Sequence, residues 1–183
     1  MKKALVVFSA LLLAAAATSG QEAKVGIGAF GGLNIPLVQD DQTNGTAYGI
    51  MARIKFLPFL NVEPNVMFGK WGEPDPVDGV DLGVDGSKIT SFGVDAVLGG
   101  MPGVVGFKPY GVLGVGSYKI KNDDTGFDES GLGWSGGLGF GIGFSRKFDI
   151  DVRGKLIVAP QDGGSKKALT VTGGVLYYLG GGL

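Results

Sequence analysis

The chain of 183 residues contains no cysteine and no histidine. Without cysteine there is no disulfide and no thiolate ligand for a metal. Without histidine, Ser-His-Asp hydrolysis, histidine-assisted acyl transfer and His-ligated metal sites all fall away. Charge is sparse and nearly balanced, with 16 Lys+Arg against 17 Asp+Glu, so the basic surplus that nucleic acid requires is missing. After the first twenty positions no apolar run reaches the ~20 residues that a spanning helix needs. No Pro/Ser-rich linker or charge block divides the sequence, which predicts a single folded domain.

The N-terminus does carry a pattern. Lys2 and Lys3 precede an apolar run from Ala4 to Ala17, and Thr18, Ser19, Gly20 and Gln21 follow. A charged n-region, an h-region and a small-residue cleavage zone read as a secretory signal over residues 1–20, with the folded domain over 21–183. The run is short for a permanent helical anchor, and the cleavage zone holds no cysteine for lipidation. Loss of Lys2 and Lys3 leaves 14 basic residues against 17 acidic, a mature charge of −3.

What the chain has in abundance is glycine, 36 in all, with no Gly-X-Y period. In LGWSGGLGFGIGF, residues 132–144, Trp134, Leu138, Phe140, Ile142 and Phe144 stand on one parity. Ser135, Gly137, Gly139, Gly141 and Gly143 stand on the other. Strand side chains alternate between faces, so this segment makes one strongly apolar face and one nearly bare face. Large apolar residues outside and small or polar ones inside is the pattern of a strand whose outer solvent is lipid.

The same parity predicts eight strands, near 24–37, 47–57, 60–71, 88–98, 107–119, 132–144, 149–158 and 168–179. Longer polar connections at 38–46, 72–87, 120–131 and 159–167 take turns with shorter ones at 58–59, 99–106 and 145–148. Of the 17 acidic residues, 12 fall in the four longer connections. The fold class expected is all-β, an eight-stranded antiparallel up-and-down transmembrane barrel with long loops at one end. The lipid-facing parities, Tyr48 to Phe56, Ile150 to Val158 and Leu169 to Tyr177, carry no charge. Aromatics near strand ends (Phe56, Phe68, Trp71, Trp134, Phe144, Phe148, Tyr177 and Tyr178) match interfacial girdles.

The opposite parities carry Arg53, Lys55, Glu63, Asp95, Asp149, Asp151, Arg153 and Lys155. An eight-stranded lumen is just wide enough to be filled by side chains, so these charges are expected to form a mixed-sign network that plugs it. The competing reading is a gated, ion-selective passage lined by the same groups. The glycine face at 137–143 would give long charged side chains room.

Two further motifs are weaker. Gly26, Gly28 and Gly31 satisfy G-x-G-x-x-G, but no helix pattern follows, so dinucleotide binding is rejected and no cofactor is expected. Asp75, Asp78, Asp81 and Asp85 form an acidic extracellular loop with oxygen ligands for Ca²⁺ or for cations that bridge lipopolysaccharide phosphates. Their spacing matches no EF-hand, and a solvated loop is the plainer reading, so no metal is assigned.

With VGIGAFGGLNIPL at the first strand, LNVEPNVMFGKW at the third, KPYGVLGVGSYKI at the fifth and LTVTGGVLYYL at the last, the chain resembles the small outer-membrane β-barrel domain family of OmpA-like and opacity-type barrels. The resemblance implies an outer-membrane location in a Gram-negative-type bacterium, a structural, adhesive or weak pore role, and no catalysis. It also implies contact with outer-membrane lipid, lipopolysaccharide and the assembly machinery, as a monomer. The enzymes built on such barrels generally need a histidine this chain lacks. The family usually closes on a terminal aromatic, whereas LGGGL follows Tyr178 here, which shifts an assembly signal to Tyr177 and Tyr178. The expectation is a barrel without a following peptidoglycan-binding domain. A narrow porin and a soluble periplasmic carrier of lipocalin type, with the faces inverted, are the alternatives.

Overall fold

The computed structural model describes residues 25–37, 42–73, 85–161 and 164–179. Eight strands follow in chain order: β1 (Val25–Pro36), β2 (Gly45–Leu57), β3 (Leu60–Lys70), β4 (Lys88–Gly99), β5 (Gly106–Asn122), β6 (Phe127–Gly143), β7 (Phe148–Gln161) and β8 (Gly164–Leu179). Each pairs antiparallel with its neighbour, and β8 returns to β1 in a register running from Val25 opposite Leu179 to Pro36 opposite Ala168. Closure removes the sheet edge and satisfies every ladder within the barrel, which a strand in lipid requires. The 1–20 segment lies outside the described residues.

Alternation decides what each strand shows. Leu132, Leu138, Ile50, Phe107 and Val115 are exposed on the outer face, Leu138 to 75%, whereas Arg53, Glu63, Asp95, Asp149, Asp151, Arg153 and Lys155 on the opposite parity are buried. A soluble carrier would present the reverse, because an apolar belt of this extent cannot face water. Ile54 and Val158 share the outer parity yet are covered, flanked in register by Val25 and Val62 and by Trp134 and Lys167.

Two hairpins are longer than their polarity suggests. Much of the 120–131 and 159–167 stretches, expected as loops, is strand: β5 runs to Asn122 and β6 starts at Phe127, while β7 runs to Gln161 and β8 starts at Gly164. The 17-residue β5 and β6 exceed the roughly 9–11 residues that cross a bilayer. Beyond the lipid the outer face meets water, so alternation continues with lysine outside, at Lys119 and Lys121, and Ile120 inside. At the opposite end, the β4–β5 turn carries Gly99, Gly100, Gly103 and Gly106 at φ of 101°, 58°, 69° and 110°. L side chains rarely adopt that region, so glycine is needed there.

Candidate functional site

Buried chemistry-bearing side chains converge in the lumen. β7 supplies Asp149, Asp151, Arg153 and Lys155 at alternate positions, so all four point inward along one line. β2 adds Arg53, β3 Glu63 and β4 Asp95, all buried. Arg53 donates from Nε to Glu63 Oε2 at 2.7 Å and from Nη2 to Asp151 Oδ2 at 3.0 Å. Arg153 donates to both Glu63 oxygens and to Asp151 Oδ1, the last at 3.0 Å from Nε and 2.9 Å from Nη2. Lys155 Nζ reaches Asp95 Oδ2 at 2.9 Å.

Three members of this layer were not expected in it from the sequence. Tyr110 donates its hydroxyl to Asp151 Oδ1 at 2.8 Å, and its ring lies under the guanidinium groups of Arg53 and Arg153 at 5.1 and 5.7 Å. Lys108 pairs with Asp149 Oδ2, which also accepts from the Tyr178 hydroxyl at 2.7 Å. The signal was parity: Lys108 and Tyr110 alternate with Phe107, Pro109 and Gly111, and Tyr178 follows Thr170 and Thr172.

Lys55, expected in the network, is not in it. A register irregularity between Lys55 and Leu57 ends the regular ladder, and Lys55 stands exposed at the barrel end. Trp71 and Tyr178, expected in the girdle, are both inside; Trp71 is 1% exposed and shares its parity with Glu63 and Met67. Phe56, Phe68, Trp134, Phe144, Phe148 and Tyr177 are exposed on the outer face as the girdle requires.

Among the described residues the buried charges therefore number four cations (Arg53, Lys108, Arg153, Lys155) and four anions (Glu63, Asp95, Asp149, Asp151). A buried charge is costly unless paired and hydrogen-bonded, and each of these eight has an opposite partner. Glycine makes the layer fit. A Cβ at Gly139 would run into the Tyr110 ring, 2.7 Å from Cε2, and one at Gly26 would lie 2.7 Å from Tyr178 Cε1. The bare faces of β6 and β1 thus hold the two tyrosines that orient the carboxylates.

Toward the loop end the lumen changes character. Met67, Trp71, Ile89, Tyr118, Ile120, Ile157 and Ala168 belong to one buried apolar cluster. A cavity of about 10 Å³ lies within this cluster, and one of about 20 Å³ lies at its border with the charged layer, lined by Asp95, Lys155 and Thr172. Each has room for about one water, and Met67 lines both.

At the loop end, Lys70, Lys88 and Lys121 sit side by side in register on the outer face. Asp85 pairs with Lys70 at 3.3 Å, Asp123 bridges Lys88 and Lys121, and Asp128 holds Lys119 at 2.9 Å. Hydrogen bonds from Lys121 and then Lys88 hold the Asp123 carboxyl down at about 2. Of the acidic loop, Asp85 is exposed, while Asp75, Asp78 and Asp81 lie outside the described residues. Among the described residues no three carboxylates cluster as a metal site would.

A family model described as the outer membrane protein beta-barrel domain matches residues 4–179. The fold is similar to that of Neisserial surface protein A, with a TM-score of 0.62 and 15% identity over 85% of this chain and 96% of that one. It is similar to the outer membrane protein OprG of Pseudomonas aeruginosa, with a TM-score of 0.57 and 15% identity over 87% and 97%. The attachment invasion locus protein Ail of Yersinia pestis gives 0.54 and 16% over 87% and 100%. No curated protein matches at the sequence level.

Proposed function

The chain belongs to the outer membrane protein beta-barrel domain family, and from that premise we propose that it acts without catalysis, as a sealed barrel whose work is structural or done by its surface loops. Its membership makes it an integral outer-membrane barrel, and the inverted polarity of its faces gives the physical reason. The observation that carries the sealed reading is the four-plus-four charge layer, each member of which has an opposite partner, with cavities of about 10 and 20 Å³ beside it. Ions crossing it would have to part Arg153 from Glu63 and Asp151 in a low-dielectric interior. The partners in this reading are outer-membrane lipid, lipopolysaccharide at the lysine row above the apolar band, and the assembly machinery. The barrel works as a monomer.

The test is a planar bilayer carrying the folded protein, with folding checked by heat-modifiable gel migration. The sealed reading expects no discrete conductance steps from the wild type. Steps that change in Arg153→Ala would instead support the narrow porin.

A further inference from the structure

Exposed charge differs between the two ends of the barrel. At the loop end Lys70, Lys88, Lys119 and Lys121 are each salt-bridged to an aspartate, while Lys167 is exposed with no carboxylate partner among the described residues. At the short-turn end Lys55, Arg146 and Lys147 are exposed and have no carboxylate partner among the described residues. The acids nearest them, Glu63 and Asp149, are fully buried and committed to Arg53, Arg153 and Lys108. Every exposed charged side chain described at this end is therefore a cation.

The turns at this end are also apolar at their tips. Phe59 in the β2–β3 turn, Met101 and Val105 in the β4–β5 turn and Phe144 in the β6–β7 turn are exposed by 62%, 51%, 61% and 63%. A turn that projects into water carries polar residues, as the loop end does with Asp85, Asp123 and Asp124. Apolar tips flanked by unpaired cations are the composition of a surface that sits in a lipid interface carrying negative charge.

From this charge complementarity we infer that the short-turn rim is a docking ring for anionic phospholipid headgroups of the leaflet facing the periplasm. The inference rests on the outer-membrane reading and its orientation, with short turns on the periplasmic side. Phe59, Met101, Val105 and Phe144 enter the acyl boundary, and Lys55, Arg146 and Lys147 take the phosphodiester oxygens. The three basic residues lie on β2 and on the β6–β7 turn, on opposite sides of an eight-stranded barrel, so the ring holds the barrel level in the leaflet.

The test folds the protein into vesicles of phosphatidylcholine alone and of phosphatidylcholine with phosphatidylglycerol, and reads the unfolding midpoint by heat-modifiable migration. The midpoint should rise with phosphatidylglycerol, and the rise should vanish in K55Q/R146Q/K147Q and in high salt. K55R/R146K/K147R should keep it, which separates loss of charge from loss of fold. Inorganic phosphate without the anionic lipid should give no rise, since the tips need a leaflet. Lipids retained in native mass spectrometry should show roughly tenfold less phosphatidylglycerol on the glutamine variant. A wild type that folds but ignores phosphatidylglycerol, or an equal rise in the glutamine variant, would overturn the ring. A wild type that cannot fold into any vesicle would instead sink the outer-membrane reading beneath it.

Discussion

The lumen has two halves that fill the same narrow tube by opposite chemistry. Toward the short turns it is packed with four cations, four anions and two tyrosine hydroxyls; toward the loops it is packed with Met67, Trp71, Ile89, Ile120 and Ile157. The charged half is specific, because each side chain has a defined partner and direction, and it fails badly when one partner goes. The apolar half is tolerant, because its contacts are non-directional and a smaller residue loses only its own packing. A barrel in lipid gains nothing from placing apolar groups inside rather than outside, so the interior is free to use polar pairing where rigidity matters.

The largest effect should follow from overfilling the charged half. Gly139→Leu drives a side chain into the Tyr110 ring and should abolish heat-modifiable folding, whereas Phe140→Leu, on the lipid face against Phe107, should cost no more than about 1.5 kcal/mol. The opposite order would mean the faces are reversed. Next comes Arg153→Ala, which leaves Glu63 and Asp151 with one guanidinium between them and should cost about 3–5 kcal/mol in urea titration of the folded barrel. In the apolar half Ile120→Val should cost only about 0.5–1.5 kcal/mol by the same titration. If the two halves respond alike, the contrast between them is wrong.

The smallest effect lies outside the lumen. The folded Asp123 carboxyl sits at about 2, below its ordinary 3.8, because Lys121 and Lys88 bond to it. Its contribution is complete above about pH 4 and is lost as pH falls through about 2. The Asp123 group is fully exposed, so the effect on the whole barrel should be slight, and carboxyl titration by NMR is the readout. An Asp123 that titrates near 4 would show the bridge is not formed in solution.

Much of this was legible in the sequence because lipid and a filled lumen both obey a period of two. Arg53, Glu63, Asp95, Asp149, Asp151, Arg153 and Lys155 could be placed inside by parity alone, and all eight strands were visible. What escaped was whatever parity shared with another explanation. Trp71 and Tyr178 are aromatics near strand ends, which describes a girdle residue as well as a lumen plug, and only their alignment with Met67 and Thr172 separates the two. Lys108 is a lone charge between Phe107 and Pro109 beside a glycine turn, with its partner Asp149 41 positions away. Lys55 has the inward parity but lies where the ladder ends, so parity no longer governs its direction. Lys121 looked like loop because lysine cannot face lipid, yet the strand had already left the bilayer.

A lumen sealed by its charged half should be closed to solutes from either end. The absence of native cysteine makes one introduced thiol an unambiguous reporter, and Thr172, buried opposite Arg153 at the border of the two halves, is the place for it. In the folded Thr172→Cys barrel a small water-soluble thiol reagent should label almost nothing until the protein is denatured. Rapid labelling of the folded barrel from the aqueous phase would show that the lumen is open.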